Sequence, residues 1–259
     1  MKLPEILEPI KQELDTFDDQ FRDAMRSKVA FVDMVARYIV KQKGKRIRPA
    51  LVLLSAKACG EINVNTYRGA SLVEILHTAT LIHDDVVDEA DTRRGFPSIN
   101  AVWKNKIAVL MGDYLLAKGL LLSLDNNDFQ FLKITSDAVR RMSEAEILQI
   151  KKSRDLDIDE ETYLKIISDK TASLFATCCE IGATSAIPDE QFHRRMKIYG
   201  ENLGMVFQIR DDLLDYIGRK SITGKPTGLD VKEKKLTLPL IYSLSKAPRN
   251  RSKEILRIV

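Results

Sequence analysis

Residues 65–89, "NTYRGASLVEILHTATLIHDDVVDE", decide the fold. Leu72, Val73, Ile75, Leu76, Ala79, Leu81, Ile82, Val86 and Val87 recur at helical spacing and cover nearly the whole circumference. A helix that is apolar all round is a buried helix, so the stretch predicts one long helix in the middle of a bundle. Charge then piles up at its end. Asp84, Asp85, Asp88, Glu89 and Asp91 fall close together, and Arg93 and Arg94 follow. Like charges four apart on a helix repel, and acid at a helix C-terminus opposes the macrodipole. Such crowding calls for something that neutralises it.

Outward from this stretch, helical periodicity continues in both directions. It predicts helices over 4–25, 29–42, 48–59, 104–124, 129–152, 160–182, 189–217 and 236–245. Pro49 suits a first helical turn, and Gly60 closes the same element. "SDKTAS" interrupts nothing apolar, which puts Lys170 inside a helix or at a local kink. There is no composition shift, repeat or low-complexity tract, so residues 1–259 are expected to form one all-α domain of long antiparallel helices.

Composition agrees. The 259 residues are 44 % hydrophobic and 30 % charged, as in folded proteins, and only 12 Gly and 8 Pro leave little room for many turns. A net charge of +4 hints at anionic ligands and falls short of the basic stripe of a nucleic-acid binder. Cys59, Cys178 and Cys179 lack metal-site spacing and read as reduced and buried. The start "MKLPEILEPI" has no secretory pattern. No uncharged apolar run reaches the length of about 18 residues that a membrane span needs, so a cytoplasmic protein is expected.

A second acidic cluster answers the first. "FQIRDDLLDYIG", residues 207–218, carries Asp211, Asp212 and Asp215 in the same Asp-Asp-x-x-Asp pattern. Aspartates four apart lie about 40° from each other on a helix, one turn above the other. They can share a hard divalent cation. No His or Cys joins either cluster at ligand spacing, so the oxygen-only donor set of Asp84, Asp85, Asp88, Asp211, Asp212 and Asp215 points to Mg²⁺, with Mn²⁺ as the other fit. Mg²⁺ takes few protein carboxylates and fills its remaining positions with water and substrate phosphates. A phosphorylated substrate follows, and the basic stretches agree with it.

At this point the sequence resembles the trans-isoprenyl diphosphate synthases, and among them the long-chain, octaprenyl-type enzymes. The resemblance runs through "GKRIRP" at 44–49, "HTATLIHDDVVDEADTRRG" at 77–95, "GDYLLAKG" at 112–119, "DKTASLF" at 169–175, "FQIRDDLLDY" at 207–216 and "GKPTGLDVKEKKLTLP" at 224–239. It implies an isoprenoid-synthase bundle around a central cavity. The implied reaction elongates an allylic diphosphate, farnesyl diphosphate by expectation, through successive head-to-tail additions of isopentenyl diphosphate. By the family's pattern three Mg²⁺ ions, held by Asp84, Asp88 and Asp211 with Asp85, Asp212 and Asp215 beside them, clamp the allylic diphosphate. Arg93, Lys170, Thr171, Gln208, Lys225 and Lys235 surround it. Isopentenyl diphosphate, which takes no metal, falls to Lys45, Arg48, His77 and Arg94. The family also implies a homodimer and a product that partitions into membranes. It continues well beyond this chain's last motif, so C-terminal helices are expected to be missing.

Product length is read on the helix that carries the first cluster. Short-chain relatives place a large aromatic four or five residues before the first aspartate, whereas Thr80 and Ala79 stand here, above Leu76. Small residues imply a deep tunnel whose floor lies elsewhere, with Phe129 and Phe131 as candidates. A shorter-chain farnesyl or geranylgeranyl synthase is the alternative within the family. A class I terpene cyclase would lack the intact "GKRIRP", and a non-catalytic subunit of a heteromeric synthase would be expected to have lost an acidic cluster.

Overall fold

The computed structural model describes residues 2–42, 44–155, 158–217, 228 and 236–258. The all-α expectation holds. In chain order the helices are α1 (Leu3–Leu7), α2 (Lys11–Ala24), α3 (Ala30–Lys41), α4 (Ile47–Cys59), α5 (Val64–Val87), α6 (Ile99–Asp125), α7 (Phe129–Asp155), α8 (Glu160–Ile167), α9 (Ser173–Ala186), α10 (Glu190–Ile217), α11 (Leu238–Lys246) and α12 (Arg249–Ile258). The chain divides into two compact units, residues 1–135 with 177–197, and residues 136–176 with 198–259.

In the first unit α5 packs most extensively along α6 and next along α4. Its start is set locally. Asn63 Oδ1 accepts from the backbone N–H of Asn65 (2.8 Å) and Thr66 (3.3 Å), while Thr66 Oγ1 accepts from Asn63 N–H (3.2 Å), a reciprocal cap. Ile75, Ala79 and Ile82 of α5 share a core with Met25, Val35, Ala36, Met111 and Leu115. Each fully buried aliphatic side chain of Leu or Ile size contributes roughly 1.5–3 kcal/mol over its exposed state.

Three expectations are corrected in detail. The single helix over 4–25 is broken by a 3₁₀ turn at Glu8–Ile10, because Pro9 has no N–H to carry the α-helical ladder. The loop after the first cluster holds a two-residue hairpin, β1 (Thr92–Arg93) against β2 (Phe96–Pro97). Its turn has positive φ at both Arg94 (52°) and Gly95 (81°), the primed geometry that suits tight hairpins. Helix α6 starts at Ile99 rather than 104, because Ser98 Oγ caps it by accepting from Ala101 N–H; the expected start falls on an internal kink at Lys104, φ 72°.

The second unit has its own core, in which Tyr163 and Ile167 of α8 pack with Leu236 and with Leu240 and Ile241 of α11. Between α8 and α9 lies a π-helical turn, Ser168–Ala172, so Lys170 sits inside a continuous helix at a local irregularity. The three cysteines are free thiols; Cys178 and Cys179 are buried as the sequence predicts, whereas Cys59, near the end of α4, is half-buried.

Candidate active site

The first cluster closes α5. Asp84 and Asp88 are exposed on one ridge, whereas Asp85, between them, is buried. Asp85 accepts from Arg93 Nε at 2.8 Å and from Arg93 Nη2 in a still closer contact. Both Arg93 donors meet the same oxygen, Oδ1, so Arg93 engages one side of this carboxylate while Asp84 and Asp88 are the exposed members of the cluster. The second cluster, in the other unit, repeats this arrangement. Asp211 is exposed and Asp215 half-buried, while Asp212 is buried. Asp212 accepts from Tyr163 Oη at 2.6 Å and from Gln208 Nε2 at 2.7 Å. Burial pushes the Asp212 carboxyl upward, those two hydrogen bonds pull it back, and Asp211 and Asp215 add to the rise.

The anion ligands expected beside each cluster are built into local networks. In the second unit Gln208 is held at both ends, because its Oε1 also accepts from Thr171 Oγ1 at 2.8 Å. Lys170 Nζ bonds Gln149 Oε1 at 2.7 Å and pairs with Glu146 at 2.5 Å. Lys225 and Lys235 lie outside the described residues. In the first unit Arg94 Nη1 donates to Gln42 O at 3.2 Å and lies against Gly44, where a Cβ would stand 2.6 Å from that nitrogen. The glycine of "GKRIRP" makes room for that guanidinium. Lys45 is exposed. Arg46 is taken by Asp18 at 3.1 Å. Arg48 has a shielded Nε with no hydrogen-bond partner among the described residues, and burial pulls its pKa down.

Two features of this basic corner were not read from the sequence. Burial first, then Arg48, Arg94 and Arg93, hold His77 well below its usual pKa, so it is a neutral imidazole at pH 7 and adds no charge to this corner. Glu74 lies one turn before it. Burial pushes its carboxyl up while Arg48 and Arg94 oppose the shift. The only signal for it was a lone acid within the apolar body of α5. Glu74, Arg94, Gly44, Pro49 and Thr78 line a cavity of about 80 Å³ in this unit.

The chain-length positions are closely packed. Ala79 is buried within the core that includes Met25, Met111 and Leu115. Leu76 meets α6 where Gly119 lets it approach, since a Cβ there would lie 3.2 Å from Leu76 Cδ2. Thr80 is half-buried and donates to His77 O at 2.9 Å. Of the two floor candidates, Phe129 is exposed, whereas Phe131 is buried beside Gly69 on the lower part of α5. The geometry removes Phe129 from consideration.

Among the described residues no three His, Cys, Asp or Glu side chains converge into a ready-made metal cage. Each ridge offers spaced carboxylate oxygens and leaves the other positions of an ion open. Such a donor set fits Mg²⁺ shared with a phosphorylated ligand better than zinc, whose protein sites are built chiefly from His and Cys.

Comparison with known proteins gives the family. An all-trans-nonaprenyl-diphosphate synthase (geranyl-diphosphate specific) of Rhodobacter capsulatus is 40 % identical over 241 residues, covering 93 % of this chain and 74 % of that one. The octaprenyl diphosphate synthase of Escherichia coli K12 is 36 % identical over 244 residues, covering 94 % and 76 %. A polyprenyl synthase from Caulobacter crescentus CB15, crystallised with calcium and isoprenyl diphosphate, matches with a TM-score of 0.89 at 36 % identity, over 99 % of this chain and 78 % of that one. Residues 29–259 match the polyprenyl synthetase family as a whole, and the chain belongs to that family.

Proposed function

We propose that this protein is a metal-dependent trans-prenyltransferase that elongates an allylic diphosphate with isopentenyl diphosphate to a long-chain all-trans polyprenyl diphosphate, about octaprenyl in length. The observation that carries the reading is the twice-repeated aspartate cluster, in which Asp84, Asp88 and Asp211 are exposed and the second aspartate of each cluster is anchored. Relatives named octaprenyl and nonaprenyl diphosphate synthase support the long-chain product.

In this reading Asp84, Asp88, Asp211 and Asp215 supply the metal-binding oxygens for three Mg²⁺ ions. Bound Mg²⁺ would neutralise the charge that gathers on the departing diphosphate. Asp85 and Asp212 hold Arg93 and Gln208 in place, and Arg93, Lys170, Thr171 and Gln208 receive the diphosphate with prearranged donors. The allylic C–O bond breaks with its electron pair leaving on diphosphate. The alkene of isopentenyl diphosphate attacks the cation, and a proton is lost to the released diphosphate; no protein group is assigned as the base. Arg48, Lys45, Arg94 and the neutral His77 hold the second diphosphate, and the unpaired Arg48 Nε supports this. Ala79, Thr80 and Leu76 border the path of the growing chain, and Phe131 forms its floor.

The whole chain acts as one catalytic domain, working as a homodimer in the cytoplasm and passing its product to the membrane. Helix α6 is long and apolar enough to cross a bilayer, with only 33 % of its most apolar window buried. That helix carries Asp113 and Lys118 and packs along α5. Its exposed Leu110, Leu121 and Leu124 suit a second copy of the chain. One relative, from Bacillus subtilis, is named component 2 of a heptaprenyl diphosphate synthase, which makes a two-component enzyme the second reading.

The test incubates the protein with Mg²⁺, farnesyl diphosphate and labelled isopentenyl diphosphate, then sizes the dephosphorylated products. A ladder ending near eight isoprene units is expected, abolished by EDTA and restored by Mg²⁺. Arrest at three or four units would overturn the long-chain reading. No incorporation in the presence of Mg²⁺ would overturn the enzymatic one, and light scattering separates dimer from monomer.

A further inference from the structure

The turn Ser168–Ala172 departs from α-helical spacing. Ser173 N–H donates to Ser168 O, five residues back, where an α-helix bonds four back. One extra residue is thus accommodated, which changes where the side chains of the turn point relative to an unbroken helix. Single π turns recur at functional sites. Here the turn carries Lys170, aimed at Gln149 and Glu146, and Thr171, aimed at Gln208.

One side chain, Arg141, ties two residues of this turn at once. Arg141 of α7 donates from Nε to Asp169 Oδ1 at 2.7 Å, and from Nη2 to Ser168 Oγ at 3.3 Å and Glu201 Oε1 at 2.9 Å. Ser168 Oγ also donates to Glu201 Oε1 at 2.9 Å. Two adjacent residues of the π turn are therefore tied by one planar guanidinium to Glu201 on α10. Thr171 reaches the same helix at Gln208, two turns further along. All these groups are partly buried, with side-chain exposures of 20 % for Arg141, 23 % for Asp169 and 33 % for Glu201. The ties are better shielded than ordinary surface ion pairs, and a planar fork with several donors is not replaced by a point charge.

We propose that Arg141 is a positioning residue for the allylic diphosphate, fixing the π turn through Asp169, Ser168 and Glu201 so that Lys170 and Thr171 stay aimed at the group they bind. This rests on the prenyltransferase reading. Displacing a positioned group by about 1 Å can cost on the order of 100-fold in rate. Loss of the brace therefore acts on one substrate and leaves the other alone.

The test compares wild type with Arg141→Met, Arg141→Lys and, as a control, Arg140→Met, which removes a neighbouring arginine paired only on the surface. Binding of farnesyl thiodiphosphate with Mg²⁺ is measured by calorimetry, and KM is measured for each substrate. Arg141→Met is expected to weaken thiodiphosphate binding and raise the allylic KM by about ten-fold or more. The isopentenyl KM stays within about two-fold, Arg141→Lys recovers part of the loss, and Arg140→Met matches wild type. Unchanged thiodiphosphate binding in Arg141→Met, or an equal rise in both KM values, overturns the proposal. Wild-type protein that binds no thiodiphosphate and elongates nothing overturns the prenyltransferase reading and this one with it.

Discussion

Within the first aspartate cluster, stability and activity should separate. Asp85 has a side chain only 4 % exposed and holds Arg93, which is 33 % exposed. Removing one partner of a fully buried pair costs about 3–5 kcal/mol. Arg93 can turn partly to water and asparagine keeps one acceptor oxygen, so Asp85→Asn should cost roughly 1–3 kcal/mol once that screening is discounted. At roughly 2–4 °C per kcal/mol for a chain of this size, the melting temperature falls by about 2–12 °C. Asp88 is exposed at the C-cap of α5, where its charge opposes the helix dipole. Asp88→Asn should therefore stabilise by about 0.3–1 kcal/mol. As a metal-binding carboxylate, however, its loss should lower kcat by about 10²-fold or more. The assay is a pair of measurements on both variants: calorimetric melting without Mg²⁺, and steady-state elongation with it. If Asp88→Asn melts as early as Asp85→Asn, or keeps wild-type kcat, the division of the cluster into a presented ridge and an internal anchor is refuted.

Three further outcomes follow from other parts of the molecule. His77 is held below its ordinary pKa, so the stability it gives as a neutral group is present above pH 6.5 and is lost as pH falls from there through its depressed value; wild type should lose more melting temperature than His77→Gln between pH 7.5 and 5.5, and parallel losses would contradict this. At Gly182 a Cβ would stand 2.3 Å from the Val52 carbonyl oxygen, which is backbone and cannot step aside; Gly182→Ala should destabilise by about 1–3 kcal/mol in thermal or urea unfolding, and an unaltered midpoint would show that α4 and α9 have slack. Ala79→Phe should shorten the product toward three or four isoprene units and, because Ala79 is packed on every side, also lower the melting temperature; a folded variant that makes the wild-type product would remove Ala79 from the chain path.

Much of this was legible in the sequence because it depends on near neighbours along the chain. The periodicity of α5, its burial, and the four-residue spacing of Asp84 with Asp88 and of Asp211 with Asp215 are properties of one helix, fixed by 3.6 residues per turn. The departures also had local causes wherever they could have been read, as at Pro9 and the Ser98 cap. The roles of individual groups within the site were different. Which aspartate of each cluster turns inward depended on Arg93, folded back by the hairpin's first strand, and on Tyr163, which is 49 residues from Asp212. The charge state of His77 depended on its burial and on Arg48 and Arg94, brought near it by the fold. Arg141 looked like any surface arginine on an amphipathic helix until the fold set Asp169 and Glu201, 28 and 60 residues away, around it. The sequence by itself determined a bundle of long helices, two acidic ridges suited to a divalent metal and the family, because periodicity and local charge are written in consecutive residues. Only the tertiary structure decided which carboxylates are presented, which imidazole stays neutral and which arginine braces the site, because burial and pairing belong to neighbours in space.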